Sequence, residues 1–160
     1  MEKIHFKDIE HIIRETLDMG KTFKISPNGV SMLPLIVQGR DSVYIKRPEG
    51  RLNKYDIAFF KRDSGEFILH RVIKVKKDSY VFCGDNQWIV EKGIKDKNII
   101  GVVCKLECDG KTILPDDAEY MDYVKKRVGT RILKNYDKII IRFIKICLHK
   151  IKKIILKKRL

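Results

Sequence analysis

Absences bound this 160-residue chain before any motif does. It has only four cysteines, Cys83, Cys104, Cys108 and Cys147, with no C-x-x-C pair among them and no secretory leader ahead of them. Neither a disulfide framework nor a metal site is indicated, and the expectation is of reduced, mostly buried thiols in a cytosolic chain. No run approaches the roughly 20 uninterrupted apolar residues of a membrane-spanning helix. No internal repeat and no low-complexity linker interrupts the chain. Acidic residues are nearly missing from one end: from Lys125 onward, 14 Lys and Arg face Asp137 alone, so this stretch carries +13 of the net +14 and the first 124 residues carry +1. The charge belongs to the tail, and a basic catalytic surface is not required.

What is present fits one compact domain with appendages, at this length and with 44% hydrophobic residues. In residues 1–20, Phe6, Ile9, Ile12, Ile13, Thr16 and Leu17 recur at helical spacing, and Gly20 stands where a helix would stop. Charges at Lys7, Asp8, Glu10, Arg14 and Glu15 make this a short amphipathic helix, neither a membrane anchor nor a cleavable signal. His5 and His11 read as its surface histidines.

After Gly20 the period shortens. Seven β-branched or aromatic runs, Thr22 to Ser26, Ser42 to Lys46, Asp56 to Lys61, Glu66 to Val75, Ser79 to Cys83, Ile99 to Leu106 and Lys111 to Leu114, read as strands. Turn chemistry such as Gly39-Arg40-Asp41, Asp63-Ser64-Gly65 and Cys108-Asp109-Gly110 separates them. Short, frequent strands predict a mainly β domain over 21–114, a coiled antiparallel barrel or sandwich.

Pro115-Asp116-Asp117 then opens a short helix, 115–129, closed by Gly129, and Thr130 caps a second, 130–160. Along that second helix Arg131, Lys134, Lys138, Arg142, Lys145, Lys152 and Lys153 fall on one side, with Ile132, Tyr136, Ile140, Phe143, Ile151 and Ile155 on the other. At 1.5 Å per residue it would be about 45 Å long. It matches an interfacial anchor for an anionic membrane surface, each cation contributing about 1 kcal/mol. Packing of the apolar stripe on the β-domain or on a second copy is the alternative. Nucleic acid is disfavoured, because a helix that tracks phosphates has no need of so wide an apolar face.

Within the β-region one pairing carries chemistry. Asn28-Gly29-Val30-Ser31-Met32-Leu33-Pro34 sets a serine between a glycine turn and a proline, and Phe67-Ile68-Leu69-His70-Arg71-Val72 sets a lone histidine in an apolar run. A hydroxyl becomes a nucleophile only beside a base, and histidine titrates near neutral pH. The same residues also read as a turn cap and a hydrogen-bonded strand histidine.

Five ordered blocks then bear a resemblance. Gly29 to Pro34, Asp56 to Phe60, Leu69 to Ile73, Gly84-Asp85-Asn86 and Ile99 to Val103 come in the order and approximate spacing of the signal peptidase I-like serine peptidases, a superfamily shared with the self-cleaving SOS repressors. The match spans roughly residues 22–106, and five blocks in order are far more specific than one. Lysine is the base in the common bacterial enzymes; histidine fills that position in the endoplasmic-reticulum and archaeal type, which His70 resembles. The resemblance implies Ser31 as nucleophile, His70 as base and Asp85, in the Gly-Asp-Asn block, as the acid that orients it. Glu91 matches a further acid six residues on, but its extra methylene ranks it behind Asp85. The Ser31 backbone N–H would serve the oxyanion, with Gly29 standing where many relatives add a serine hydroxyl. Tyr55, where the family usually has glycine, reads as a packing substitution. Met32 is read as core filler or groove lining, and Trp88 as lining a peptide cleft or covering the core edge.

The expected activity is serine endopeptidase cleavage of a peptide or leader-type precursor, bound extended with small side chains before the scissile bond, without a cofactor. The enzymes resembled are held by an N-terminal membrane span. With none at residues 1–20, the expectation is cytosolic trimming on the inner face of a bacterial membrane. Two alternatives stand beside it: a catalytically inactive, membrane-associated peptide-binding module of the same fold, and a self-cleaving regulator. The regulator would use lysine as base and need a DNA-binding domain, for which twenty N-terminal residues are too few.

Overall fold

The computed structural model describes residues 6–129. The basic stretch 130–160, with Arg131, Lys134, Lys138, Arg142, Lys145, Lys152 and Lys153, and also Cys147, lies outside the described residues. Two compact units divide the chain, 1–124 and 125–160, and every strand among the described residues belongs to the first.

The amphipathic start forms helix α1 (Phe6–Asp18), which buries Ile13 and Leu17 one turn apart. Such burial stabilises by roughly 1.5–3 kcal/mol per side chain. Phe6 meets the rings of Phe59 and Phe67 at 5.1 and 5.9 Å, and Glu10 accepts from Lys61 at 2.6 Å. Gly20, at φ +74°, ends the helix where the sequence placed a stop.

Eight strands follow: β1 (Phe23–Ile25), β2 (Ser42–Lys46), β3 (Ile57–Lys61), β4 (Phe67–Val75), β5 (Tyr80–Cys83), β6 (Glu91–Ile94), β7 (Ile99–Cys108) and β8 (Lys111–Ile113). All pair antiparallel in one sheet ordered β1-β2-β7-β3-β4-β5-β6. Strand β7 is the hub. One edge pairs with β2, and the other is shared between β3 near Ile99 to Val102 and β8 from Leu106 to Cys108. Pairing among the described residues runs as an open path from β1 to β6, so the coarse β-class expected is present without a barrel-closing ladder.

The seven anticipated runs are all strands. Strand β6 was not anticipated, because Glu91-Lys92-Gly93-Ile94 lacks β-branched and aromatic patterning and is extended by its ladder with β5. Ala58, Phe60, Val72, Tyr80 and Phe82 form the core on one face of β3, β4 and β5. A second helix, α2, occupies 118–129. Asp117 starts it: its carbonyl accepts from Met121 N–H at 2.9 Å, while its carboxylate accepts from Leu114 N–H at 2.7 Å. Gly129 is still helical, so the expected stop there is not made within the described residues. No described helix is long and apolar enough to cross a membrane.

Tyr55, read from the sequence as a packing change, has a backbone consequence. It sits at φ 85°, in the left-handed region that glycine enters freely and other L-residues enter at a cost of about 1–2 kcal/mol.

Candidate active site

Strand β4 presents its side chains alternately, which places His70 on the core face opposite Ala58 and sends Arg71 to the other. His70 is buried, with the Phe60 ring edge-on at 6.4 Å. Its Nδ1 lies 2.8 Å from Glu91 Oε1. An ionised carboxylate only accepts, so Nδ1 carries the proton and Nε2 keeps a lone pair. That is the tautomer a general base requires.

Ser31 meets this lone pair around Gly84. A Cβ on Gly84 would lie 3.0 Å from His70 Nε2, 3.0 Å from Ser31 Cβ and 2.6 Å from Ser31 O. His70 Nε2 and Ser31 Cβ therefore stand no further apart than twice that 3.0 Å distance, on either side of a gap that only glycine leaves open. No hydrogen bond joins Ser31 Oγ to His70 among the described residues, and catalytic hydrogen bonds often tighten only with substrate bound. The serine loop is fastened by the next residues of the same turn: Asn86 N–H donates to Ser31 O at 2.7 Å, and Asn86 Nδ2 to Val30 O at 3.1 Å.

Of the two acids expected near His70, Glu91 is the one hydrogen-bonded to it, not Asp85. Both Asp85 oxygens accept from Arg71, Nε to Oδ1 at 2.9 Å and Nη2 to Oδ2 at 2.7 Å, in an ion pair whose side chains are 1% and 3% exposed. Arg71 also donates to Tyr120 OH and to the Tyr55 carbonyl. The carboxylate that meets His70 Nδ1 is that of Glu91. Strands β4 and β6 are separated by β5, about 10 Å across two strand spacings, and the extra methylene that told against Glu91 is what a side chain reaching across β5 needs. Asp85 follows the end of β5, where Arg71 on the opposite face claims it.

Electrostatics match this arrangement. Burial pushes the His70 imidazole below its ordinary value, and the nearby Glu91 charge only partly offsets that. For Glu91, burial acts upward but the Arg62 guanidinium and His70 outweigh it, holding the carboxyl below its usual range. At neutral pH the pair is a neutral imidazole beside a carboxylate.

Gly29, at φ +94°, makes the turn into Ser31, but its N–H is already given to Gln38 Oε1 at 2.6 Å. The Ser31 N–H has no acceptor among the described residues and is the donor left for an oxyanion. Met32 serves both readings, since it is 3% exposed and lines the small cleft beside Ser31 and His70. That cleft, about 90 Å³, is bounded by Pro27, Gly29, Ile36 and Phe67 to His70. Trp88 is not in its lining; the loop that carries it folds back on Cys83, whose thiol meets the Gln87 and Ile89 carbonyls, and Trp88 is left 45% exposed. Along the cleft, residues 67–70 of β4 pair only with β3, since β5 begins pairing at Arg71. One backbone edge beside His70 is therefore unpaired among the described strands.

The sequence reading missed the packing duty of Gly84, the staple made by Asn86, and Arg62. Gly-Asp-Asn was visible as turn chemistry, but which atoms crowd it was not. Comparison with protein-family models, curated proteins and solved structures finds no match.

Proposed function

We infer that the chain is a serine endopeptidase of the signal peptidase I-like type, with the coiled antiparallel β-fold of that superfamily, acting on a peptide or precursor substrate. One observation carries the reading: Ser31 and His70 crowd the same point at Gly84 while His70 Nδ1 is held by Glu91. In that reaction Ser31 Oγ attacks the scissile carbonyl and gives its proton to His70 Nε2. Glu91 stabilises the imidazolium, and the Ser31 N–H meets the oxyanion. Collapse of the tetrahedral intermediate breaks the C–N bond, and Nε2 returns the proton to the leaving amine. Water, deprotonated in turn by His70, then hydrolyses the acyl-enzyme. The unpaired edge of β4 suits an extended peptide added as a strand. The small cleft beside Ser31 and His70 is in keeping with the small side chains expected before the scissile bond.

The sequence of the tail supports peripheral attachment to the inner face of a bacterial membrane, since +13 of the net charge falls from Lys125 onward along an amphipathic pattern. A second reading, an inactive peptide-binding module of the same fold, is favoured by the missing Ser31 to His70 hydrogen bond. Cleavage of a co-produced peptide, or acylation by a serine-directed probe, decides between them. Wild type is expected to react and Ser31→Ala not; equal behaviour of the two ends the peptidase reading. Flotation with anionic liposomes, lost on truncation after Gly129, tests the attachment.

A further inference from the structure

Arg62 lies just past β3, in the turn that leads into β4. That turn closes through its backbone: Arg62 N–H donates to Glu66 O and Gly65 N–H to Arg62 O, each at 2.8 Å. The Arg62 side chain is therefore not what makes the turn. Its guanidinium instead lies between two carboxylates, Nη1 at 2.9 Å from Glu66 Oε2 and Nε at 2.7 Å from Glu91 Oε2. Glu91 uses its other oxygen, Oε1, on His70 Nδ1 at 2.8 Å. Side-chain exposure falls along this chain from 62% at Glu66 to 33%, 16% and 4% at Arg62, Glu91 and His70, so the link leads from solvent to the buried imidazole.

We propose that Arg62 is a positioning residue, which through Glu91 fixes the tautomer and aim of His70. Glutamate is a poor orienter when left alone, because its last torsion is broad and its arm is long. A charged donor on Oε2 removes that freedom, since turning the carboxylate away from His70 would break a 2.7 Å charge-assisted bond. This is how a residue with one methylene too many can serve where precise orientation is needed. The charged groups that act on His70 are Glu91 from β6, Arg62 from the turn before β4 and, through space from the other face, Asp85 after β5, which is paired with Arg71. The proposal rests on the peptidase reading for its effect on rate, but the hold on His70 is measurable without any reaction.

The test is a single-site NMR titration of His70 in the full chain, with the imidazole labelled, for wild type, Arg62→Gln, Arg62→Lys and Glu91→Gln. Removing the Arg62 cation should raise the His70 midpoint by about half a pH unit at low salt, and removing the Glu91 charge should lower it. Arg62→Lys keeps the charge and loses the fork, so it should leave the midpoint near wild type yet broaden the downfield Nδ1 proton signal that reports the Glu91 hydrogen bond. If a substrate or acylating probe is in hand, kcat should fall about tenfold in Arg62→Lys with KM unchanged, because only alignment is lost. A merely structural arginine would lower the urea midpoint and, apart from the through-space charge effect of Arg62→Gln, leave the Nδ1 signal unmoved. An unchanged Nδ1 signal in the folded Arg62→Lys and Arg62→Gln variants would overturn the proposal. A broadened Nδ1 signal in a protein whose Ser31→Ala variant behaves like wild type would uphold the arginine's role and reject the peptidase reading instead.

Discussion

Gly84→Ala is the sharpest test of the site, because one methyl group is set against three atoms at once. The new carbon would stand 2.6 Å from the Ser31 carbonyl oxygen and 3.0 Å from both Ser31 Cβ and His70 Nε2. Ordinary contact begins at 3.4 Å, so the serine loop must retreat by about 0.8 Å on its carbonyl side, a displacement of the order that costs a catalytic pair roughly 100-fold in rate. Retreat is resisted by the Asn86 N–H, which holds that carbonyl at 2.7 Å from two residues along the same turn. Loss of the bond and the overpacking together should cost about 1–3 kcal/mol of stability. The chain would remain folded with Ser31 and His70 pushed apart. Acylation by a serine-directed probe reads the first effect and the urea midpoint the second. Gly129→Ala, where a Cβ meets nothing within 4 Å and φ is ordinary, is the control and should react at the wild-type rate. If folded Gly84→Ala also reacts at that rate, the serine and histidine do not act across this gap.

As a general base His70 would work only when neutral, and burial sets it below the ordinary imidazole value of about 6.5. The acylation rate should therefore be flat at neutral pH and fall only as pH drops through that lowered value; a midpoint above 6.5 contradicts the assignment. Glu91→Gln removes the charge that favours the imidazolium, so the acid limb should move lower still while the plateau rate drops, and an upward shift would show that Glu91 does not face the base. Arg71→Ala removes the guanidinium from a buried ion pair and should cost about 3–5 kcal/mol in urea unfolding. A loss below 1 kcal/mol would mean that water reaches the pair.

Much of the β-architecture was readable because its cause is local. Side-chain alternation, β-branched content and turn residues place seven strands without reference to the rest of the chain, and the helical stripe of Ile9, Ile13 and Leu17 does the same for α1. Strand β6 was not readable: Glu91-Lys92-Gly93-Ile94 is extended only because β5 offers it a ladder. Ser31 and His70 stood out as residue types in context. Of the two acids, Asp85 was preferred for its match to the Gly-Asp-Asn block and Glu91 set behind it for its extra methylene, yet it is Glu91 that contacts His70.

Sequence alone determined which groups are present to react: a hydroxyl in a glycine turn, an imidazole in an apolar strand, two carboxylates near it and a cationic tail. Tertiary structure decided who pairs with whom. The alternation of β4 turns His70 and Arg71 to opposite faces, so Asp85 meets the arginine and Glu91, two strands away, meets the histidine. Such choices depend on distances between strands that are remote along the chain, and no local pattern encodes them.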